Sequence, residues 1–102
     1  MNDSQLDQAI ASRPHDKVTK EGIEKRIKAV DYMVLPNSTV TICNIMLVNG
    51  FSVRGESACV DPRNFDMEIG RQLAHRDAFS KLWQLEGYLL AERRHQEGKA
   101  TK

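Results

Sequence analysis

Three groups of side chains in this chain are of types that could do chemistry: Ser57 and Cys59 in the run Gly55-Glu56-Ser57-Ala58-Cys59, three histidines, and arginines near a strand-to-helix junction. A nucleophilic serine elbow reads Gly-x-Ser-x-Gly and needs a sharp strand-to-helix turn. Here the fifth residue is Cys59, and the run has the composition of a strand. Cys59 would act as a nucleophile only beside a base, and nothing in the sequence points to one, so it reads as a small packing residue. His15, His75 and His95 lack the spacing of a metal motif and read as surface residues. Asp61 and Asp66 are explained by helix capping, and no glycine-rich phosphate loop occurs. The expectation is a protein without catalytic residues, metal or cofactor, and not an enzyme.

A second constellation points instead to binding. Arg54 lies on a strand that leads to a helix start between Asp61 and Asp66, with Arg63 and Asn64 in the junction. Exposed amides and guanidinium groups in such a place can hold phosphate. Phe51 and Phe65 could add a surface on which a base stacks. The competing reading is a solvated junction, because arginine near a helix start usually faces water and Phe65 is of a type usually found in a core. Asp61, Asp66 and Glu68 also work against a bare anion site.

The elements that must position these residues follow from periodicity and turn chemistry. Ser4 as N-cap, with Leu6 and Ile10 on one face, allows a short helix stopped by Arg13-Pro14. Thr19 caps a second helix, extending to about Ala29, whose Ile23, Ile27 and Val30 share one face. Residues 31–35 and 39–48 favour strand, with Pro36-Asn37-Ser38 turning between them. Asn49-Gly50 predicts a two-residue hairpin turn in which Val48 pairs with Phe51. That register groups Val40, Ile42, Met46 and Val48 with Val53 and Phe51 on the apolar face, and sets Cys43 and Cys59 on opposite faces, which argues against a disulfide. A long helix follows, capped by Asp61 or Asn64, with Pro62 in its first turn, and reaching Leu90.

This helix carries two apolar stripes, one of Phe65, Ile69, Leu73, Phe79, Trp83 and Leu90, the other of Ala74, Ala78, Leu82, Leu85 and Leu89. A small sheet covers one stripe, so the second needs the N-terminal helix or another subunit, and homo-oligomerisation is expected. The fold class is α+β: an antiparallel hairpin or small sheet packed with a long C-terminal helix and one or two shorter N-terminal helices. The expected organisation is a polar segment over 1–17, one domain over 18–92 and a polar tail over 93–102.

Composition narrows the partners. With 102 residues, 15 basic and 14 acidic side chains and a formal charge of +1, the chain lacks the basic footprint of a duplex-DNA binder or a membrane anchor. A domain of this size buries only roughly two-thirds of the surface of its unfolded chain, which also favours assembly. No stretch has the length of a membrane span and no targeting segment opens the chain, so a cytoplasmic protein is expected.

The words Thr41-Ile42-Cys43, Asn49-Gly50-Phe51-Ser52-Val53, Gly55 to Pro62, Asn64-Phe65-Asp66, Ile69-Gly70, Ala74 and Leu82 to Leu90 resemble a family of small tailed-phage and prophage proteins, over roughly Thr19 to Leu90. The pattern also resembles the Tad-type anti-Thoeris proteins, phage-encoded sponges that bind nucleotide immune signals such as glycocyclic ADP-ribose and, in some members, cyclic oligonucleotides. The resemblance implies a dimer or hexamer with ligand pockets between subunits, acting in the cytoplasm of the infected bacterial host. A sponge sequesters its ligand without degrading it and needs no catalytic base. The binding residues are then a physical choice: Phe51 to stack on a base, Arg54 and Arg63 to pair with phosphate, and Asn64 or Asp61 to hydrogen-bond a ribose or base edge. Arg76 and Lys81, on the helix flank, would reach a ligand held by a neighbouring subunit. The alternative is an oligomeric phage adaptor or inhibitor that binds a host protein through an exposed helix face.

Overall fold

In the computed structural model, residues 2–12 and 16–98 are described. The helix stop at Arg13-Pro14 and the surface position of His15 lie outside them. Helix α1 spans Asp3–Ala11, α2 Lys20–Arg26, β1 Ile27–Val34, β2 Val40–Leu47, β3 Ser52–Ala58 and α3 Met67–Gln96, with one 3-10 turn at Pro62–Asn64. The strands form an antiparallel sheet in the order β1-β2-β3, and α3 lies across one face, giving the expected α+β fold.

Caps account for where the helices begin. Thr19 accepts from the Gly22 amide at 3.0 Å, as its spacing predicts. α1 is capped two residues before the expected Ser4: Asn2 and Gln5 form a reciprocal capping box. α3 is capped by Asp66, whose carboxylate accepts from Glu68 and Ile69, and not by Asp61 or Asn64. Asp61 caps the 3-10 turn that holds Pro62. α2 ends at Arg26, three residues before the expected Ala29, because Ile27 is already extended and pairs with Leu47. Its β-branched neighbours favour the strand, and a bulge at Lys28 resets the register.

The hairpin departs from expectation by one residue, and the consequence is large. The Leu47 amide donates to the Phe51 carbonyl at 2.8 Å and the Gly50 amide to the Leu47 carbonyl at 3.0 Å, enclosing the three-residue loop Val48-Asn49-Gly50. Gly50 has φ of +90°, but Asn49 stays at negative φ, its side chain accepting from the Phe51 amide. This is a turn closed by a left-handed glycine and not the two-residue turn. Cys43 therefore pairs with Gly55 and Ile45 with Val53.

A one-residue slip exchanges the faces of a strand. The buried side of β2 is Thr41, Cys43, Ile45 and Leu47, the set expected to be mixed, while Val40, Ile42, Asn44 and Met46 are half-exposed. Cys43 and Cys59 consequently share strand parity, so opposite faces do not keep them apart; both are nonetheless free thiols.

The core joins Ile23 of α2 and Cys43, Ile45, Leu47 and Val53 of the sheet to Ala74, Ala78 and Leu82 of α3. Close contact needs Gly55, where a Cβ would lie 2.1 Å from the Ala78 nitrogen and 2.4 Å from the Ala74 carbonyl oxygen. Thirty residues make α3 about 45 Å long, roughly twice the length of a seven-residue strand. Its second half therefore overhangs the sheet, and Leu85, in line with Ala78 and Leu82, is 38% exposed. α2 meets the overhang through Arg26, which pairs with Glu86 at 2.7 Å.

Candidate functional site

β3 and the junction after it position most of the binding residues proposed from sequence, and they separate them into two places. At the hairpin end, Phe51, Ser52, Val53 and Arg54 meet Lys81, Gln84 and Leu85 of α3 in an open groove. Phe51 is 54% exposed, so a flat apolar ring is available for stacking. Lys81 bridges the groove by donating to the Arg54 carbonyl oxygen.

Arg54 borders the groove, but the hydrogen bonds of its side chain are made on the sheet. That side chain follows the even positions of β3 to the open face of the sheet and donates to Asn44 Oδ1 at 3.3 Å and Ser52 Oγ at 3.0 Å. Register lines up Asp31, Asn44 and Arg54 across the three strands. A carboxylate, an amide and a guanidinium in one row make this face polar and nearly neutral at its centre.

The second place lies beyond the far end of β3. Arg63 grips Asp61 through Nη2 at 2.7 Å and through Nε, while its backbone amide also donates to the same carboxylate. The Arg63 side-chain bonds hold the Asp61 carboxyl below its ordinary range, and Asp61 in turn pushes the guanidinium upward. A phosphate would have to compete with a carboxylate already in place. Asn64 and Phe65 border a small crevice with Thr39, Thr41, Ser57 and Cys59, over Ile69 and Gly70. Phe65 thus packs at the junction, while Phe51 sits at the hairpin, roughly 20 Å away along a seven-residue strand. The two rings do not form one stacking surface within a chain.

The helix residues are likewise divided. At 100° per residue, Lys81 lies on the β3 side of α3, whereas Arg76 falls on the outward side among Ile69, Leu73 and Trp83. Sequence reasoning missed the part α3 plays at the β3 edge. Asp77 accepts from the Glu56 amide at 2.9 Å and Lys81 satisfies the Arg54 carbonyl, so one helix turn caps a strand edge. Acid and base at i and i+4 on a helix are a visible signal, but their target is set by tertiary packing.

The nucleophiles are placed as packing groups. Ser57 Oγ donates to the Gly70 carbonyl at 2.8 Å and Cys59 Sγ to the Asp61 carbonyl at 3.1 Å. Burial pushes the Cys43 thiol up, against a smaller opposing effect from its hydrogen bond with Tyr32. Thr41 Oγ1 is a buried oxygen with no hydrogen-bond partner, pressed against Gly70. Among the described residues, no group of three or more His, Cys, Asp or Glu could hold a metal ion, and no helix is long and apolar enough to cross a membrane.

Residues 18–94 match the phage protein (N4 Gp49/phage Sf6 gene 66) family. The chain belongs to that family. The match runs from the segment before α2 almost to the end of α3 and so takes in the whole sheet and both places just described. No curated protein and no solved structure matches the chain. α1 lies outside the matched span, and its Leu6 and Ile10 are 46% and 48% exposed.

Proposed function

We propose that this phage protein acts by stoichiometric binding: it self-assembles and sequesters a small nucleotide immune signal, of the glycocyclic ADP-ribose or cyclic oligonucleotide class, in sites completed between subunits, without degrading it. The observation that carries this reading is the half-built groove at the hairpin end. An exposed ring, a lysine and a glutamine side chain converge there but enclose nothing, so a ligand would need a second wall. Membership of a phage family is consistent with a role against host defence, and the resemblance to Tad-type sponges supplies the ligand class. Within the groove, Phe51 stacks on a base and Lys81 meets phosphate. Arg54 borders the groove within the same chain, while Asp61, Arg63, Asn64 and Arg76 contribute from a neighbouring copy, since one chain does not bring those four to this place.

One observation favours a second reading, an adaptor or inhibitor that binds a host protein. Arg63 and Arg54 already have acceptors within the chain, while the outward side of α3 shows Leu73 and Trp83 to solvent. The two readings separate in a calorimetric titration of the protein with a panel of glycocyclic ADP-ribose isomers, cyclic dinucleotides and cyclic trinucleotides. Sequestration requires saturable binding, intact ligand on denaturing the complex, and weaker binding by Phe51→Ala and Lys81→Ala. A folded protein silent across the panel would move the assignment to the host-protein reading, and ligand turnover at substoichiometric protein would make it an enzyme.

A further inference from the structure

α3 rests on the sheet through Ala74, Ala78 and Leu82 and turns its opposite side to solvent. That outward side carries Ile69, Leu73, Arg76, Ser80, Trp83 and Gly87. Their spacing alternates four and three residues, the seam of a coiled coil. Ile69, Leu73 and Trp83 are 57%, 43% and 42% exposed, so none of the described residues covers the seam at these positions. Gly87 is a poor helix former inside a long helix. Beyond its chain neighbours and the backbone of its own helix, no atom of the described residues lies within 4 Å of the position its Cβ would take, so no tertiary contact among them requires a glycine there.

We propose that this seam pairs antiparallel with the same seam of a second copy, about a two-fold axis level with position 78. The order of residues is self-complementary in that register. Ile69 of each copy faces Gly87 of the other, Leu73 faces Trp83, and Arg76 faces Ser80, each contact occurring twice by symmetry. A bulky side chain meets the bare backbone of a glycine, an apolar one meets an aromatic, and a donor-rich arginine meets a hydroxyl. The alternatives lack this match. Sliding by one heptad sets Ser80 against Trp83 in one direction and against Ile69 in the other. A parallel pair sets Arg76 on Arg76 and Trp83 on Trp83. The seam from Ile69 to Gly87 is about 27 Å long, and the choice of a second copy as occupant rests on this internal symmetry, which a foreign partner would have no reason to match.

The inference rests on the self-assembly half of the proposed function and is independent of the ligand. It is tested by light scattering with full-length protein, with melting by circular dichroism showing that each exposed-site variant is folded. The chain of 11.6 kDa is expected at twice that mass. Leu73→Glu and Trp83→Lys, each alone, place two like charges at the paired seam and are expected to give monomers. Mixing the two variants sets Leu73→Glu of one chain against Trp83→Lys of the other and leaves a native Leu73–Trp83 layer, so a dimer of one copy of each re-forms. A monomeric wild type, or a dimer indifferent to both substitutions, overturns the proposal; failure of the mixture to re-form a dimer overturns the register. Dimers that bind no nucleotide would leave this inference standing while removing the sequestration reading. Monomers that bind nucleotide would overturn this inference together with the self-assembly half of that reading, leaving only its ligand class.

Discussion

At the scale of single residues, the glycines carry more of the structure than the nucleophiles. Gly55 lets the α3 backbone lie directly on β3, and the atoms a methyl group would meet there are main-chain atoms of Ala74 and Ala78, which cannot rotate away. Overpacking a core costs about 1–3 kcal/mol, occasionally more. Gly55→Ala should therefore cost at least about 3 kcal/mol and lower the melting temperature by more than about 10 °C; an unchanged melt would refute the close approach. The cysteines give a chemical test of the corrected register. Cys43 is fully buried with its thiol pushed up, while Cys59 is half-exposed. Alkylation of native protein at mildly alkaline pH should modify Cys59 alone, and the second thiol should react only on unfolding, as mass spectrometry of the peptides would read. Sequence reasoning expected both to be small buried residues, which holds for Cys43 and not for the half-exposed Cys59. Its supporting argument failed because Asn-Gly also closes a three-residue loop when the asparagine side chain takes the Phe51 amide.

At the scale of elements, the start of α2 was legible because Thr19 is a side chain with one local job, whereas α1 and α3 are capped by Asn2 and Asp66 and not by the expected Ser4 and Asp61 or Asn64. Strand register was not legible, because it depends on a single φ at Asn49 that composition leaves open. The error passed straight into the expected site. With the register shifted, Arg54 belongs to the row Asp31-Asn44-Arg54 on the open sheet face, and only its carbonyl meets Lys81. The capping of the β3 edge by α3 is the corresponding gain. An exposed strand edge invites pairing with another chain, and Asp77 and Lys81 occupy the groups through which such pairing would run. Asp77→Ala should speed hydrogen exchange at the Glu56 amide and lower stability by about 1 kcal/mol, the usual worth of one hydrogen bond. Exchange at Glu56 as slow as in the wild type would show that the carboxylate does not protect this edge.

At the scale of the whole molecule, the chain is a two-layer slab in which α3 serves both layers. One side of the helix completes the core. The other presents Leu73 and Trp83 to solvent; the two apolar stripes were legible in the sequence, but not which of them faces the sheet. The candidate site was legible only in part. Phe51 and Lys81 do share a groove, whereas Asp61, Arg63 and Asn64 sit past the other end of β3, a separation that residue types alone cannot convey. The family match places the chain among phage proteins, and binding through assembly is the use we propose for its open groove.

Native mass spectrometry of the protein mixed with the cyclic nucleotide panel tests that claim most directly, because one spectrum counts subunits and ligands together. The account predicts an assembly of two or more 11.6 kDa chains carrying a fixed whole number of intact nucleotides, with ligand released unchanged on denaturation. A bare monomer across the panel, at concentrations where the protein is folded, would contradict it.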